Sequence, residues 1–208
     1  MITPAILATT FEEFKEQLEK IAPFFDTAHI DVMDGIFVKN ISFQEIEKIQ
    51  ELQSKLKFEL HLMVEHPAEE MMRWKNIPNV FRALFHIETL DSPEECIELA
   101  KEHKWECGLV LNPETKLERA ESYFNLVEVV QFMTVNPGRQ GAPFVPEVLN
   151  KIKKFTTLKK HPLCAVDGGV NESTIAELKS AGAEIFNVGS ALMKVEDVKK
   201  KLKELYSL

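Results

Sequence analysis

The chain has 208 residues, a formal net charge of −8 at pH 7 and 45% hydrophobic residues, which suits one globular domain with a sizeable core. The negative charge argues against nucleic acid or an acidic membrane as a partner, and no apolar run approaches the roughly 18 residues of a membrane helix. The N-terminus lacks the basic flank and cleavage site of a secretory signal, and the three cysteines, Cys96, Cys107 and Cys164, show no metal-type spacing. We therefore expect a cytoplasmic protein, in a reducing compartment.

Short apolar runs alternate with amphipathic segments along the whole sequence. Strands are predicted at 2–7, 28–32, 58–63, 80–86, 107–111, 127–133, 163–166 and 185–188. Helices are predicted after them at 10–21, 43–52, 67–74, 92–103, 116–123, 145–155, 171–181 and 195–205. Strict alternation implies right-handed crossovers and a parallel sheet. Eight such units that close on themselves make an α/β fold, the (β/α)8 TIM barrel, with residues 1–208 as a single domain.

The rival fold is a doubly wound open sheet. That fold usually carries a glycine-rich dinucleotide turn after its first strand, and residues 7–11 contain no glycine. The barrel is therefore the prediction, and its active-site groups should lie at or just beyond the C-terminal ends of its strands.

Four residues at predicted strand ends have the side chains of metal ligands. His29 and Asp31 face the same way on the second strand because strand side chains alternate, His61 lies near the end of the third strand, and Asp167 follows the seventh. Charged and imidazole groups inside a barrel are costly to bury unpaired, and clustering around one divalent metal removes that cost. The same carboxylates could also move protons.

Other strand-end residues allow two interpretations. His86, at the end of the fourth strand, is either part of the site or a hydrogen-bonding residue that caps a layer of the barrel. Met33, Met63 and Met133 are core residues unless their positions beside the ligands give them a role.

Eight short stretches and Asn40 match the motifs of one known family, and the stretches stand at 4–7, 29–35, 61–64, 86–88, 111–115, 133–138, 166–170 and 189–190. On these residues, the sequence resembles the ribulose-phosphate 3-epimerase family over nearly its whole length. Their combined order and spacing is specific, although each fragment alone would be weak.

The resemblance implies one divalent metal ion per chain, held by His29, Asp31, His61 and Asp167. Such mixed ligands suit Zn, Fe(II), Mn or Co, and the sequence does not choose among them. It further implies epimerisation at C3 of a phosphorylated ketose, with Asp31 and Asp167 as the acid/base pair on opposite faces of an enediolate. The metal would stabilise the developing charge as a Lewis acid. The three methionines would form a polarizable wall around the substrate.

The resemblance also implies a phosphate site in the loops after strands six, seven and eight. The expected substrate-binding residues are Ala5, Met33, His61, Met63, Met133, Gly138, Arg139, Gly141, Gly168, Gly169, Gly189 and Ser190. Two departures stand out. Gln140 replaces a glycine of the usual Gly-x-Gly-Gly loop, where Arg139 is expected to compensate as a phosphate ligand, and Ala5 stands where the family usually has a serine.

The first functional hypothesis is interconversion of D-ribulose 5-phosphate and D-xylulose 5-phosphate. The alternatives are the same chemistry on a hexulose phosphate such as allulose 6-phosphate, which the departures keep open, and a non-catalytic sugar-phosphate-binding barrel. A lyase of the orotidine-monophosphate-decarboxylase type is rejected because the third strand lacks that family's lysine. The expected partners are a phosphorylated ketose and further copies of the chain in a homo-oligomer.

Overall fold

Eight parallel strands close into a barrel in the computed structural model, which describes residues 1–137 and 142–208. The strands are β1 (Ile2–Ile6), β2 (Thr27–Met33), β3 (Lys57–Met63), β4 (Val80–His86), β5 (Glu106–Leu111), β6 (Val129–Met133), β7 (Leu163–Asp167) and β8 (Ile185–Val188). Each strand pairs with the next in sequence, and β8 pairs with β1 to close the sheet. The predicted (β/α)8 barrel is confirmed.

Helices cover the outside of the barrel. They are α1 (Phe11–Ile21), α2 (Pro67–Trp74), α3 (Pro93–Glu102), α4 (Val148–Thr156), α5 (Ile175–Ser180), α6 (Ser190–Met193) and α7 (Val198–Ser207). Side chains cap the starts of three of these helices. Thr10 and Glu13 form a reciprocal capping box on α1, Ser92 accepts a hydrogen bond from the third residue of α3, and Asp197 does the same for α7.

Two predicted α-helices are 3-10 segments instead. The stretch predicted at 43–52 is a 3-10 helix at Ile46–Leu52, and the one predicted at 116–123 is a pair of short 3-10 turns, Leu117–Arg119 and Glu121–Tyr123. In the first stretch, apolar residues recur strictly every three positions, at Ile46, Ile49 and Leu52. That spacing fits three residues per turn better than 3.6, and no side-chain cap fixes an α-helical start.

The last part of the chain differs from prediction in a smaller way. The helix predicted at 171–181 is confined to α5, because Asn171 and Thr174 hydrogen-bond to the loop backbone before it. The short α6 was not predicted, since it follows β8 directly with only four residues.

The main core lies between the barrel and its helices, and a second cluster fills the barrel interior. Leu84, Val129 and Ala165 belong to the interior cluster. Gly108 of β5 permits this packing, because a Cβ there would lie 2.3 Å from Cδ2 of Leu84. Among the helices of residues 1–137 and 142–208, none is long and apolar enough to cross a membrane.

Candidate metal centre and active site

Three strands bring the four predicted ligands to one end of the barrel. His29 and Asp31 point inward from β2, His61 from β3 and Asp167 from the last position of β7. The strand register places Asp31 directly opposite His61. Both imidazoles are fully buried and both carboxylates nearly so. Alternation along the strands and the parallel register thus produce a compact group from residues far apart in sequence.

The distances within this group are short. Nδ1 of His61 lies 2.9 Å from Oδ1 of Asp31 and 3.3 Å from Oδ2 of Asp167. Nε2 of His29 lies 3.5 Å from the same Asp31 oxygen and 4.0 Å from the same Asp167 oxygen. One donor atom from each of the four residues lies within 4.8 Å of all the others. Nδ1 of one imidazole and Nε2 of the other therefore face the same two carboxylates.

The electrostatics of the group require positive charge at its centre. Burial disfavours the charged form of His29, but the carboxylates of Asp31 and Glu59 outweigh it and raise its pKa to about 10. Burial likewise opposes the charge on His61, whose pKa is raised by Asp167 and Asp31. For Asp31, burial acts to raise the pKa, but the two imidazoles lower it to about 2. Protons on the imidazoles or a metal ion can supply the balancing charge.

A divalent metal ion fits this donor set. Nε2 of His29 is buried and has no hydrogen-bond partner, a costly state for a polar atom that a bond to metal would relieve. Two imidazole nitrogens and two carboxylate oxygens suit zinc, iron, manganese or cobalt rather than a hard ion such as calcium, which prefers oxygen ligands alone. The group can hold a metal ion, and its identity stays open among those four.

A cavity of about 250 Å³ opens beside the cluster at the C-terminal ends of the strands. Both aspartates line it, whereas the two fully buried histidines do not. Seven of the predicted substrate-binding residues also line it: Ala5, Met63, Met133, Gly168, Gly169, Gly189 and Ser190. Met33 does not; it is fully buried and packs with Val38 and Met63. The predicted phosphate ligand Arg139 lies outside the described residues, together with Gly138 and Gly141.

The loop after β7 has a backbone that glycine alone adopts readily. Gly168 and Gly169 have φ values of +98° and +63°, and a Cβ on Gly168 would lie 2.3 Å from Cγ2 of Val135. The carbonyl of Gly169 accepts hydrogen bonds from Nδ2 of Asn171 at 2.8 Å and Oγ1 of Thr174 at 2.7 Å. These bonds hold the loop in one shape against the cavity.

Of the buried residues that support the site, the sequence singled out His86 but not Glu59 or Arg82. Glu59 hydrogen-bonds to His29, and Arg82 in turn pairs with Glu59. His86 contacts His61 directly, so it belongs to the surroundings of the site. A signal was present: Glu59 stands two positions before His61, and Arg82 four before His86, so these charged residues share the inward face of their strands.

A second missed pair lies deeper in the barrel. Asn187 of β8 lines the cavity, and its side-chain amide donates to Oε1 of Gln131 on β6 at 2.9 Å. Oδ1 of Asn187 is buried and without a hydrogen-bond partner. Both residues also lie at inward positions of apolar strands, which was the signal that could have found them.

Curated relatives of known family match nearly the whole chain. It is 34% identical to the ribulose-phosphate 3-epimerase of Bacillus subtilis, with 98% of this chain and 97% of that protein covered. It is 30% identical to the ribulose-phosphate 3-epimerase of Escherichia coli K12, with 100% and 95% covered.

Solved structures of similar fold include more distant barrels. One is a 3-hexulose-6-phosphate synthase from Salmonella typhimurium, with a TM-score of 0.72, 15% identity and coverage of 99% of this chain and 96% of that one. Another is the tryptophan synthase α-subunit of Pyrococcus furiosus, with a TM-score of 0.73, 17% identity and coverage of 100% and 98%. At such identities the likeness concerns the fold alone.

The model of the ribulose-phosphate 3 epimerase family matches residues 1–193. With that match and with relatives at 30% identity or more over nearly its full length, the chain belongs to the ribulose-phosphate 3-epimerase family.

Proposed function

We propose that this member of the family is a metal-dependent epimerase that interconverts D-ribulose 5-phosphate and D-xylulose 5-phosphate. The observation that carries the proposal is the buried group of His29, Asp31, His61 and Asp167, with its two carboxylates lining a cavity at the barrel mouth. Curated relatives that are named for this reaction support the enzyme class, an isomerase that acts on a carbohydrate.

The two aspartates act as the acid/base pair. One begins as a carboxylate and removes the proton from C3 beside the substrate carbonyl. The other begins as a carboxylic acid and delivers its proton to C3 from the opposite face, so the two protonation states have exchanged after one turnover. Each positioned group contributes on the order of 10²–10⁴ in rate.

The remaining groups hold the reacting carbons. A divalent ion bound by the four ligands would stabilise, as a Lewis acid, the negative charge that develops on the C2 and C3 oxygens. Met63 and Met133 line the cavity with polarizable sulfur and offer no acidic proton that could quench the enediolate. Met33 supports Met63 from behind.

The phosphate is bound by the loops that follow β7 and β8. Gly168 and Gly169 after β7, and Gly189 and Ser190 after β8, line the cavity and allow the backbone to approach an anion closely. In a chain of net charge −8, such local donors must attract the anionic substrate. Arg139 is expected to add a charged ligand from the loop after β6.

Product formation tests the proposal. The protein loaded with Zn²⁺, Mn²⁺ or Co²⁺ is incubated with D-ribulose 5-phosphate, and NMR follows the appearance of D-xylulose 5-phosphate; allulose 6-phosphate is tested in parallel. We expect faster conversion of the pentulose. Faster conversion of the hexulose would move the proposal to that substrate, and tight binding of both without turnover would favour a non-catalytic sugar-phosphate-binding barrel.

A further inference from the structure

The two histidines of the metal site use opposite ring nitrogens. Nε2 of His29 and Nδ1 of His61 face the carboxylates of Asp31 and Asp167. The other nitrogen of each ring is hydrogen-bonded to a residue outside the ligand set. A neutral imidazole carries one proton, so the partner of the outer nitrogen decides which nitrogen is free to bind a metal.

A first series of hydrogen bonds leads outward from His29. Its Nδ1 lies 2.7 Å from Oε1 of Glu59, and the other oxygen of Glu59 accepts a hydrogen bond from Nη1 of Arg82 at 2.6 Å. Nε of Arg82 donates to Glu106 at 2.8 Å, at the far end of the barrel. Glu59 is buried and paired with a guanidinium, which favours its ionised form. An ionised carboxylate only accepts hydrogen bonds, so Nδ1 of His29 must carry the proton and Nε2 must be free.

A second series of hydrogen bonds leads outward from His61. Its Nε2 lies 3.0 Å from Nε2 of His86, and the two rings are tilted by only 21° with centroids 5.2 Å apart. This is the geometry of an N–H···N bond in the plane of both rings. On the far side of His86, Nδ1 lies 3.3 Å from Oε2 of Glu88.

Glu88 determines which residues donate and which accept in this second series of hydrogen bonds. Its Oε1 accepts the backbone N–H of Asn112 at 3.0 Å, which holds the carboxylate in place. Because that carboxylate accepts, His86 donates from Nδ1 and accepts at Nε2. His61 is then the donor at Nε2, which leaves its Nδ1 for the metal.

We infer that Glu59 and His86 are positioning residues that fix His29 and His61 in opposite tautomers, so that Nε2 of one and Nδ1 of the other are presented to a single divalent cation. This inference rests on the proposed function, because it assigns these residues a role toward that cation. Arg82 and Glu88 act one step further out, by fixing Glu59 and His86. Loss of such outer partners typically weakens metal binding about 10–100-fold.

The tautomers can be measured directly in the wild-type protein. Two-bond ¹H–¹⁵N correlation spectra of Zn²⁺-loaded, ¹⁵N-histidine-labelled protein report which nitrogen of each ring carries a proton. We expect His29 protonated on Nδ1 and His61 protonated on Nε2. The same tautomer in both rings would overturn the inference without any variant.

Variants test whether the outer partners matter for metal affinity, measured by competition with a chromophoric chelator. Glu59→Gln should weaken Zn²⁺ binding about 10–100-fold, because an amide has one acceptor oxygen and cannot accept from both Nδ1 of His29 and Nη1 of Arg82. The matched control is Glu70→Gln in α2, because Glu70 is also a buried glutamate, bonded to Trp74 and Arg73 away from the site. That control should bind Zn²⁺ as the wild type does.

For the hydrogen bonds that start at His61, His86→Phe is the test. It should weaken Zn²⁺ binding by a similar factor, because it leaves the Nε2 proton of His61 without an acceptor. His86→Gln should restore much of the loss, since its amide oxygen can accept at the place of Nε2. Wild-type affinity in both Glu59→Gln and His86→Phe would overturn this inference alone. Absence of metal binding in the wild type would overturn both it and the proposed function.

Discussion

At the scale of single residues, Asp31 and Asp167 each serve two purposes in the proposed mechanism. Both belong to the group that could hold a metal ion, and both line the cavity where the substrate would bind. A residue that holds the ion and moves a proton cannot be replaced by a neutral isostere without losing at least one purpose.

Asp31→Asn and Asp167→Asn should therefore each lower kcat by at least about a hundredfold, as expected for loss of a positioned proton carrier. Product formation is measured by NMR, and metal content by elemental analysis of the same samples. Asp197→Asn serves as the control, because Asp197 caps α7 and asparagine caps helices equally well. A site variant that keeps its metal and near-normal turnover in both directions contradicts the two-aspartate mechanism.

The sequence predicted the four ligands and singled out His86, but it did not point to Glu59 or Arg82. His29, Asp31, His61 and Asp167 were predicted from their places at strand ends, from strand alternation and from the family resemblance. The contact between Glu59 and Arg82 depends instead on the register between β3 and β4, which shifts by one residue between Phe58 and Glu59. Strand alternation carries no information on such a shift.

At the scale of elements, the strands were easier to predict than the segments between them. Continuous apolar runs gave every strand, because a barrel strand is buried on both faces. The 3-10 segments were mistaken for α-helices because both place apolar residues at intervals of about three positions. In the segment at Ile46–Leu52, the strict spacing of three was the distinguishing signal.

The loop after β6 is expected to bind the substrate phosphate through Arg139. Arg139→Ala should raise KM for the sugar phosphate about ten- to a hundredfold with a smaller effect on kcat. A lost charge-assisted contact costs roughly 1.5–3 kcal/mol, and the phosphate is remote from C3. Steady-state kinetics measures both constants.

Gln140→Gly, in the same loop, is the matched control and should be neutral or mildly favourable. An unchanged KM in Arg139→Ala would show that the guanidinium does not bind phosphate, and the backbone after β7 and β8 would then have to bind it alone.

At the scale of the whole molecule, the candidate metal site combines residues from strands in the first and last thirds of the sequence. β2 and β3 lie in the first third of the sequence and β7 in the last. A bound ion would therefore stabilise the closed barrel as a unit. The expected homo-oligomer and cytoplasmic location stay predictions.

Comparing the protein with and without metal tests whether a bound ion stabilises the barrel. Saturation at about 100 times Kd stabilises a protein by about 2.7 kcal/mol. For a chain of this length, that corresponds to a Tm roughly 5–10 °C higher. Differential scanning calorimetry should show this shift when Zn²⁺ is added to stripped wild type, but not to His61→Ala. Full metal occupancy of His61→Ala by elemental analysis would contradict the assigned ligands.

In the proposed mechanism, two aspartates exchange the C3 proton on opposite faces of a metal-held substrate. The direct measurement is conversion of D-ribulose 5-phosphate in D₂O by the metal-loaded protein, with NMR of C3 at early conversion. We expect deuterium at C3 of the product D-xylulose 5-phosphate, while the remaining substrate still carries protium, because a different group delivers the incoming hydron. Product that retains protium at C3 would contradict the account.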